Sequence, residues 1–143
     1  MAGGRRKREA GWVTAAHEVV DRVFVYGTLR SGQTARSLIG DHVAASERAT
    51  LAGAIYAMPE GYPAVIPGGE GTVHGELVTL RDLAAAFLLL DAYEGDGYRR
   101  VLARARRGDG SDCWAWVYTL ADPATADRAE LIEHGDWARY LTA

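Results

Sequence analysis

Two stretches of this 143-residue chain carry residue types that could do chemistry. The first is LLLDAYEGDGYRR, residues 88–100. Glu94 follows a run of leucines, so its carboxylate is a candidate for partial desolvation. Desolvation raises a carboxylate pKa and suits it to moving a proton near neutral pH. Asp91 lies three residues earlier on the same helical side, and Asp96 two later in a loop. Of the three, Glu94 is the one followed by glycines that leave room for a ligand. The competing reading is an exposed carboxylate at a helix end. The second stretch is VFVYGTLRSGQ, residues 23–33. Four apolar or aromatic residues run into Gly27, which lets a ligand approach the main chain closely. The N–H groups at Gly27, Thr28 and Leu29 would then form an anion site for a carboxylate or phosphate. A strand ending in a plain glycine turn is the alternative.

Other candidates are weaker. His17, His42, His74 and His134 have no metal-ligand spacing, so no metal site is expected. No serine lies in a nucleophile-elbow turn, and PGGEG lacks the Lys–Ser/Thr ending of a phosphate loop. Cys113 has no basic neighbour to lower its pKa and reads as a packed thiol. Tyr98, Trp114, Trp116 and Tyr118 alternate along strands. They suit a core, or an apolar pocket wall with hydroxyl tips, where Pro63 or Ala64 would stand opposite.

The elements that must position these groups are legible in outline. Residues 12–21 carry a short helical pattern, and residues 1–21 together read as an N-terminal extension, poorly ordered in part, ahead of one domain over 22–143. A strand is predicted at Val23–Tyr26 and a short helix at Gln33–Ile39, closed by Gly40. A long strand follows at Ala44–Met58, with Gly53 marking a bend. Pro59–Gly71 reads as a turn-rich loop holding a short strand at Ala64–Ile66. Val73–Leu80 alternates as a strand. Arg81–Ala92 forms the best helix, with Thr79 as its cap and Ala84, Phe87, Leu88 and Asp91 on its inner stripe. Strands at Tyr98–Arg106 and Cys113–Leu120 are joined by an Asp109–Gly110 hairpin turn. A polar connection and a closing helical turn at Trp137–Leu141 end the chain. This is an α+β pattern: a small mixed β-barrel of five to six strands with flanking short helices.

Composition is that of a globular chain, 48% hydrophobic and 24% charged. The net charge of −3 is unevenly placed, because Arg5, Arg6, Lys7 and Arg8 form a basic run. Without them, 12 basic and 19 acidic residues leave −7. That argues against nucleic acid as a partner. No apolar run reaches membrane-spanning length, no signal-peptide core follows the basic start, and a single cysteine fits a reducing cytoplasm.

Taken together and in order, VFVYGTLRSGQ, YPAVIPG, VHGEL and LDAYEGDGYRR resemble the γ-glutamylcyclotransferase family, in its small AIG2-like branch. The resemblance covers roughly residues 22–120. It implies a small β-barrel with flanking helices, and cyclisation of a γ-glutamyl group to 5-oxoproline with release of the attached amine, without metal or cofactor. It implies that Tyr26, Gly27, Thr28 and Leu29 bind the glutamyl moiety and that Glu94 is the acid/base. After Gln33 the chain reads Thr34, Ala35 and Arg36, where the family often has Asn or His.

Those roles fit the chemistry. The γ-glutamyl α-amine must lose a proton to attack the γ-carbonyl, and one carboxyl can take it and return it to the departing amine. The attack is intramolecular, so the protein need only fold the substrate into a reactive shape. The expected partner is a small γ-glutamyl molecule, with Tyr98 and Tyr118 walling its site. The alternatives are a carboxylate-binding protein that does no chemistry, and a γ-glutamyl deacylase that releases glutamate.

Overall fold

The computed structural model describes residues 19–142, and the helix expected over residues 12–21 lies for the most part outside them. The elements are β1 (Arg22–Val25), a 3₁₀ turn (Arg36–His42), β2 (Val43–Ala57), β3 (Pro63–Leu80), α1 (Leu83–Glu94), β4 (Tyr98–Arg107), β5 (Asp112–Leu120), a second 3₁₀ turn (Pro123–Arg128), β6 (Glu130–Leu131) and α2 (Trp137–Thr142).

Five strands close into a mixed barrel in the order β1–β3–β2–β4–β5, which returns to β1. The four neighbouring pairs from β1 to β5 are antiparallel, and the closing pair β5–β1 is parallel, with Val23 opposite Trp116. Closure leaves no long unpaired strand edge in the ring. The short β6 adds to the end of β2. Alternation along each strand separates two cores. Phe24, Leu51, Val65, Val73, Leu77 and Val117 fill the barrel. Val23, Val25, Val78, Leu80 and Tyr118 face outward and are covered by Leu29, Ile39 and α1.

Four expectations are corrected. The Pro- and Gly-rich segment 63–71 is not loop but the first half of β3, an 18-residue strand. The strand pairs along β2 with two register shifts, one between Val43 and Ala45 and one where Ala52 faces Thr72 and Gly53 faces Pro67. Residues 68–71 bulge out between those pairs, and Gly68 and Gly69 take the positive φ that the bulge needs. The cap of α1 is Asp82, not Thr79. Asp82 stands at φ 52° and accepts from the Ala85 N–H. The helix is also turned by one or two positions from the expected stripe: Ala86 and Leu90 are buried with Leu83 and Phe87 beside them, while Leu88 is 74% exposed. A helix with leucines on every side gives periodicity little to read. The short helix expected at Gln33–Ile39 is a 3₁₀ turn three residues further on. The bend at Gly53 and the hairpin at Asp109–Gly110 are as expected, with the Arg107 N–H donating to Ser111 across the turn.

Candidate active site

The Gly27 loop leaves β1 where its ladder with β3 ends, at Val25 opposite Glu76. The chain then turns back on itself. Arg30 N–H donates to the Gly27 carbonyl, Ala35 N–H to the Thr28 carbonyl and the Arg36 guanidinium to the Leu29 carbonyl. The three carbonyls are thus satisfied. The N–H groups of Gly27, Thr28 and Leu29 meet no acceptor among the described residues. Unpaired adjacent N–H groups form an anion-binding concavity.

Glu76 fixes the far side of this loop. Its carboxylate accepts from the Ser31 N–H at 3.0 Å, the Ser31 hydroxyl at 3.0 Å, Arg36 at 2.9 Å and the Ser46 hydroxyl at 3.3 Å. Burial alone would raise its pKa, but the Ser31 N–H and Arg36 outweigh this and hold it below the usual carboxylate range. Gly27 itself is packed against Pro63. A Cβ there would stand 2.7 Å from Pro63 Cγ, which excludes any side chain without movement.

Glu94 is the last residue of α1, not a residue beyond it, and Gly95 ends the helix at φ 77°. Glu94 lines a cavity of about 370 Å³ that the Gly27 loop also lines. No side chain or N–H among the described residues hydrogen-bonds the Glu94 carboxylate. Desolvation raises its pKa to about 7.

Three tyrosines wall the cavity, and each points its proton elsewhere. Tyr26 donates to the Tyr118 carbonyl at 2.8 Å, Tyr98 to the Pro63 carbonyl at 2.8 Å, and Tyr118 to Asp91 at 2.5 Å. Burial raises the pKa of all three, with the negative charge of Glu94 adding to it, so each stays a neutral hydroxyl. Asp91 is held by both nitrogens of the Arg100 fork, at 3.1 and 3.2 Å, which lowers its pKa. Arg100 in turn lies over Phe87 and Trp116, 4.1 and 4.7 Å from their ring centres.

The structure brings Tyr26, Gly27, Thr28, Leu29, Glu94, Tyr98 and Tyr118 to this one cavity. Pro63 lines it, whereas Ala64 is wholly buried behind. Phe24, Val25 and Gly97 also line it, and so do two tyrosines that were not foreseen. Tyr93 closes one edge, its hydroxyl 2.8 Å from the Thr28 hydroxyl. Tyr62 forms the rim, its ring 6.0 Å from that of Tyr98. Both lie in the quoted motifs, but a lone exposed tyrosine has no periodic signal to mark it. Asp96 does not line the cavity. Among the described residues no three His, Cys, Asp or Glu side chains converge as metal ligands. No helix among them is long and apolar enough to cross a membrane. The arrangement can hold an anion on the unpaired N–H groups and exchange a proton at a carboxyl that lines the same cavity.

Residues 23–139 match the profile of a family described as gamma-glutamyl cyclotransferase, AIG2-like. No curated protein sequence matches the chain. Among solved structures, a mouse AIG2-like protein superposes with a TM-score of 0.67 at 23% identity, covering 84% of this chain and 89% of that one. YkqA from Bacillus subtilis gives 0.66 at 23% identity, over 87% of this chain and 42% of YkqA, so the chain spans under half of that protein. The uropathogenic E. coli protein c4763 gives 0.65 at 20% identity, over 87% and 98%. At these identities the likeness is one of fold.

Proposed function

We propose, from the premise that the chain belongs to the AIG2-like gamma-glutamyl cyclotransferase family, that it converts a γ-glutamyl amine or amide to 5-oxoproline and the free amine. Glu94 is the proton-transfer group and no cofactor takes part. The observation that carries this reading is the placement of a desolvated carboxyl, pKa about 7, across one cavity from three unpaired N–H groups.

The substrate α-carboxylate rests on the N–H groups of Gly27–Leu29. This turns the α-amine toward Glu94, which takes its proton. The amine nitrogen then bonds to the γ-carbonyl carbon, closing a five-membered ring. The tetrahedral intermediate collapses by breaking the bond to the leaving nitrogen, and Glu94 returns the proton to that nitrogen. Bonds and protons balance, and the carboxyl ends as it began. A pKa near the working pH lets it both accept and donate. Two N–H groups suffice for the carboxylate, and the third is available to the γ-carbonyl oxygen as it gains charge. The tyrosine walls keep bulk water from the site while withholding their own protons from Glu94.

The test is turnover of a panel of γ-glutamyl amides with 5-oxoproline and glutamate quantified separately. Release of 5-oxoproline supports the reading. Glutamate as sole product means a deacylase, and binding without turnover across the panel means a carboxylate-binding protein. The single cysteine supports a reducing cytoplasm as its location.

A further inference from the structure

A second hollow, of about 340 Å³, is lined by residues of β2, β3 and β4 together with Arg30 and Asp136, and shares no lining residue with the Glu94 cavity. Its lining holds four arginines, Arg30, Arg48, Arg106 and Arg107, with His74 and a single carboxylate, Asp136. Register places three of these side chains together. Thr50 on β2 faces His74 on β3 and Arg106 on β4, and Arg48 is two residues along the same face of β2. The alternate residues Ala49, Leu51, Val73 and Ala105 fill the barrel, so this face points outward.

The nearby carboxylates are already engaged. Asp136 is 2.9 Å from Arg30 and Asp112 is 3.3 Å from Arg106. Glu76, directly across the strand pair from Arg48, is taken by Ser31, Arg36 and Ser46. Arg48 has no acidic partner within ion-pair distance among the described residues. Arg107 reaches Glu47 only at 3.8 Å. A concave surface lined by four arginines and one carboxylate, on a body whose net charge is negative, is a site short of an anion.

We propose that this hollow binds a small phosphate-bearing anion, with Arg48 and Arg106 as its principal ligands and His74 beside them. The guanidiniums approach from a loop and two separate strands. A tetrahedral phosphate offers acceptors in several directions at once, whereas a carboxylate offers them in one plane. The volume has room for a phosphate monoester or a diphosphate.

The experiment is a titration of the full chain with pyrophosphate, followed by backbone and His74 imidazole resonances, with inorganic phosphate and malonate as parallel arms. Saturable shifts at Arg48, Thr50, His74 and Arg106, weakening as salt is raised, are expected. Pyrophosphate should bind more tightly than malonate. Arg48→Glu with Arg106→Glu should weaken pyrophosphate at least about tenfold, the loss of one good charged contact. Arg48→Gln, a milder change on an exposed side chain, should weaken it less while leaving the melting temperature unaltered. Equal affinity in the double variant would assign the binding to Arg5–Arg8 and overturn the proposal, as would malonate binding tighter than pyrophosphate or shifts that never saturate.

Discussion

Asp91 and Glu94 stand one helical turn apart at the end of α1, yet their carboxyls occupy opposite electrostatic surroundings. Arg100 and the Tyr118 hydroxyl hold Asp91 below the ordinary carboxylate range, while Glu94 receives no hydrogen bond from the described residues and burial raises it to about 7. Two carboxyls with separated pKa values are the pattern that divides a proton-transfer role from a structural one. Here Glu94 is the group free to change charge, and Asp91 is the group that occupies the nearest competing donor.

The first prediction is therefore for Glu94→Gln. The amide keeps shape and removes the proton acceptor. Turnover should fall by about 10²–10⁴-fold, the usual worth of general acid–base catalysis, with KM little changed. Steady-state kinetics with 5-oxoproline detection measure this. A near-normal rate would remove Glu94 from the mechanism.

The same substitution has a stability signature. The folded pKa of Glu94 is raised from 4.5 to about 7. Between those values the folded state binds more protons than the unfolded, so stability falls as pH rises. The cost is absent below about pH 4.5 and complete above about pH 7. Glu94→Gln escapes it and should be more stable than the parent at pH 8, by about 1–2 kcal/mol after discounting for residual solvent at the site. The gap should close near pH 5. Thermal melts of both proteins across this range read it, and a constant gap would contradict the raised pKa.

Asp91→Ala tests the division of roles. Removing Asp91 takes a negative charge from beside Glu94, leaves Arg100 uncompensated and frees the Tyr118 hydroxyl. Each change favours ionised Glu94 and so lowers its pKa. The acidic limb of kcat/KM, expected near pH 7 in the parent, should move down by about one unit or more. A purely structural role for Asp91 would lower the rate and leave the limb in place.

How much of this was readable from sequence depended on whether the controlling force was local. The Asp109–Gly110 hairpin and the bend at Gly53 were legible because turn residues and a ladder irregularity leave local marks. The Gly27 loop was legible for the same reason, since a strand running into a glycine marks a turn, although what bars a side chain there is the distant Pro63. The first half of β3 was not legible. Its Pro and Gly residues oppose a strand, and it is held as one by distant partners, the facing backbone of β2 and Thr119 of β5. The Arg100–Asp91–Tyr118 chain joins α1, β4 and β5, and nothing in the spacing of three residues from three elements could announce it. The desolvation of Glu94 was anticipated from neighbouring leucines, but its cause is tertiary. Leu88 is exposed, and tyrosines from three separate stretches of the chain enclose the carboxyl instead.

Gly27→Ala should injure binding and stability together. The new methyl must displace Pro63, which also forms the cavity wall. Overpacking of this kind costs about 1–3 kcal/mol, and KM should rise as the N–H groups move off the substrate carboxylate. Gly40→Ala is the control, since a Cβ there meets nothing within 4 Å. It should leave both melting temperature and KM unchanged. Equal effects from the two substitutions would mean that backbone freedom, and not the approach to Pro63, explains the glycine.

Glu76→Gln separates positioning from chemistry. Glu76 does not line the cavity. It holds the segment after Leu29 through Ser31 and Arg36, and Arg36 also holds the Leu29 carbonyl. Neutralising it weakens charge-assisted bonds worth about 1.5–3 kcal/mol, so the loop should lose its fixed shape without losing a reacting group. The expected result is a rise in KM of about tenfold or more, by the same conversion of energy to affinity. The acidic limb of the pH profile should stay at the parent position, because the surroundings of Glu94 are untouched. Ser46→Ala removes only the longest of these contacts, 3.3 Å, and should have little effect. A fall in kcat with unchanged KM, or a moved limb, would place Glu76 among the groups acting on the proton and not on the loop.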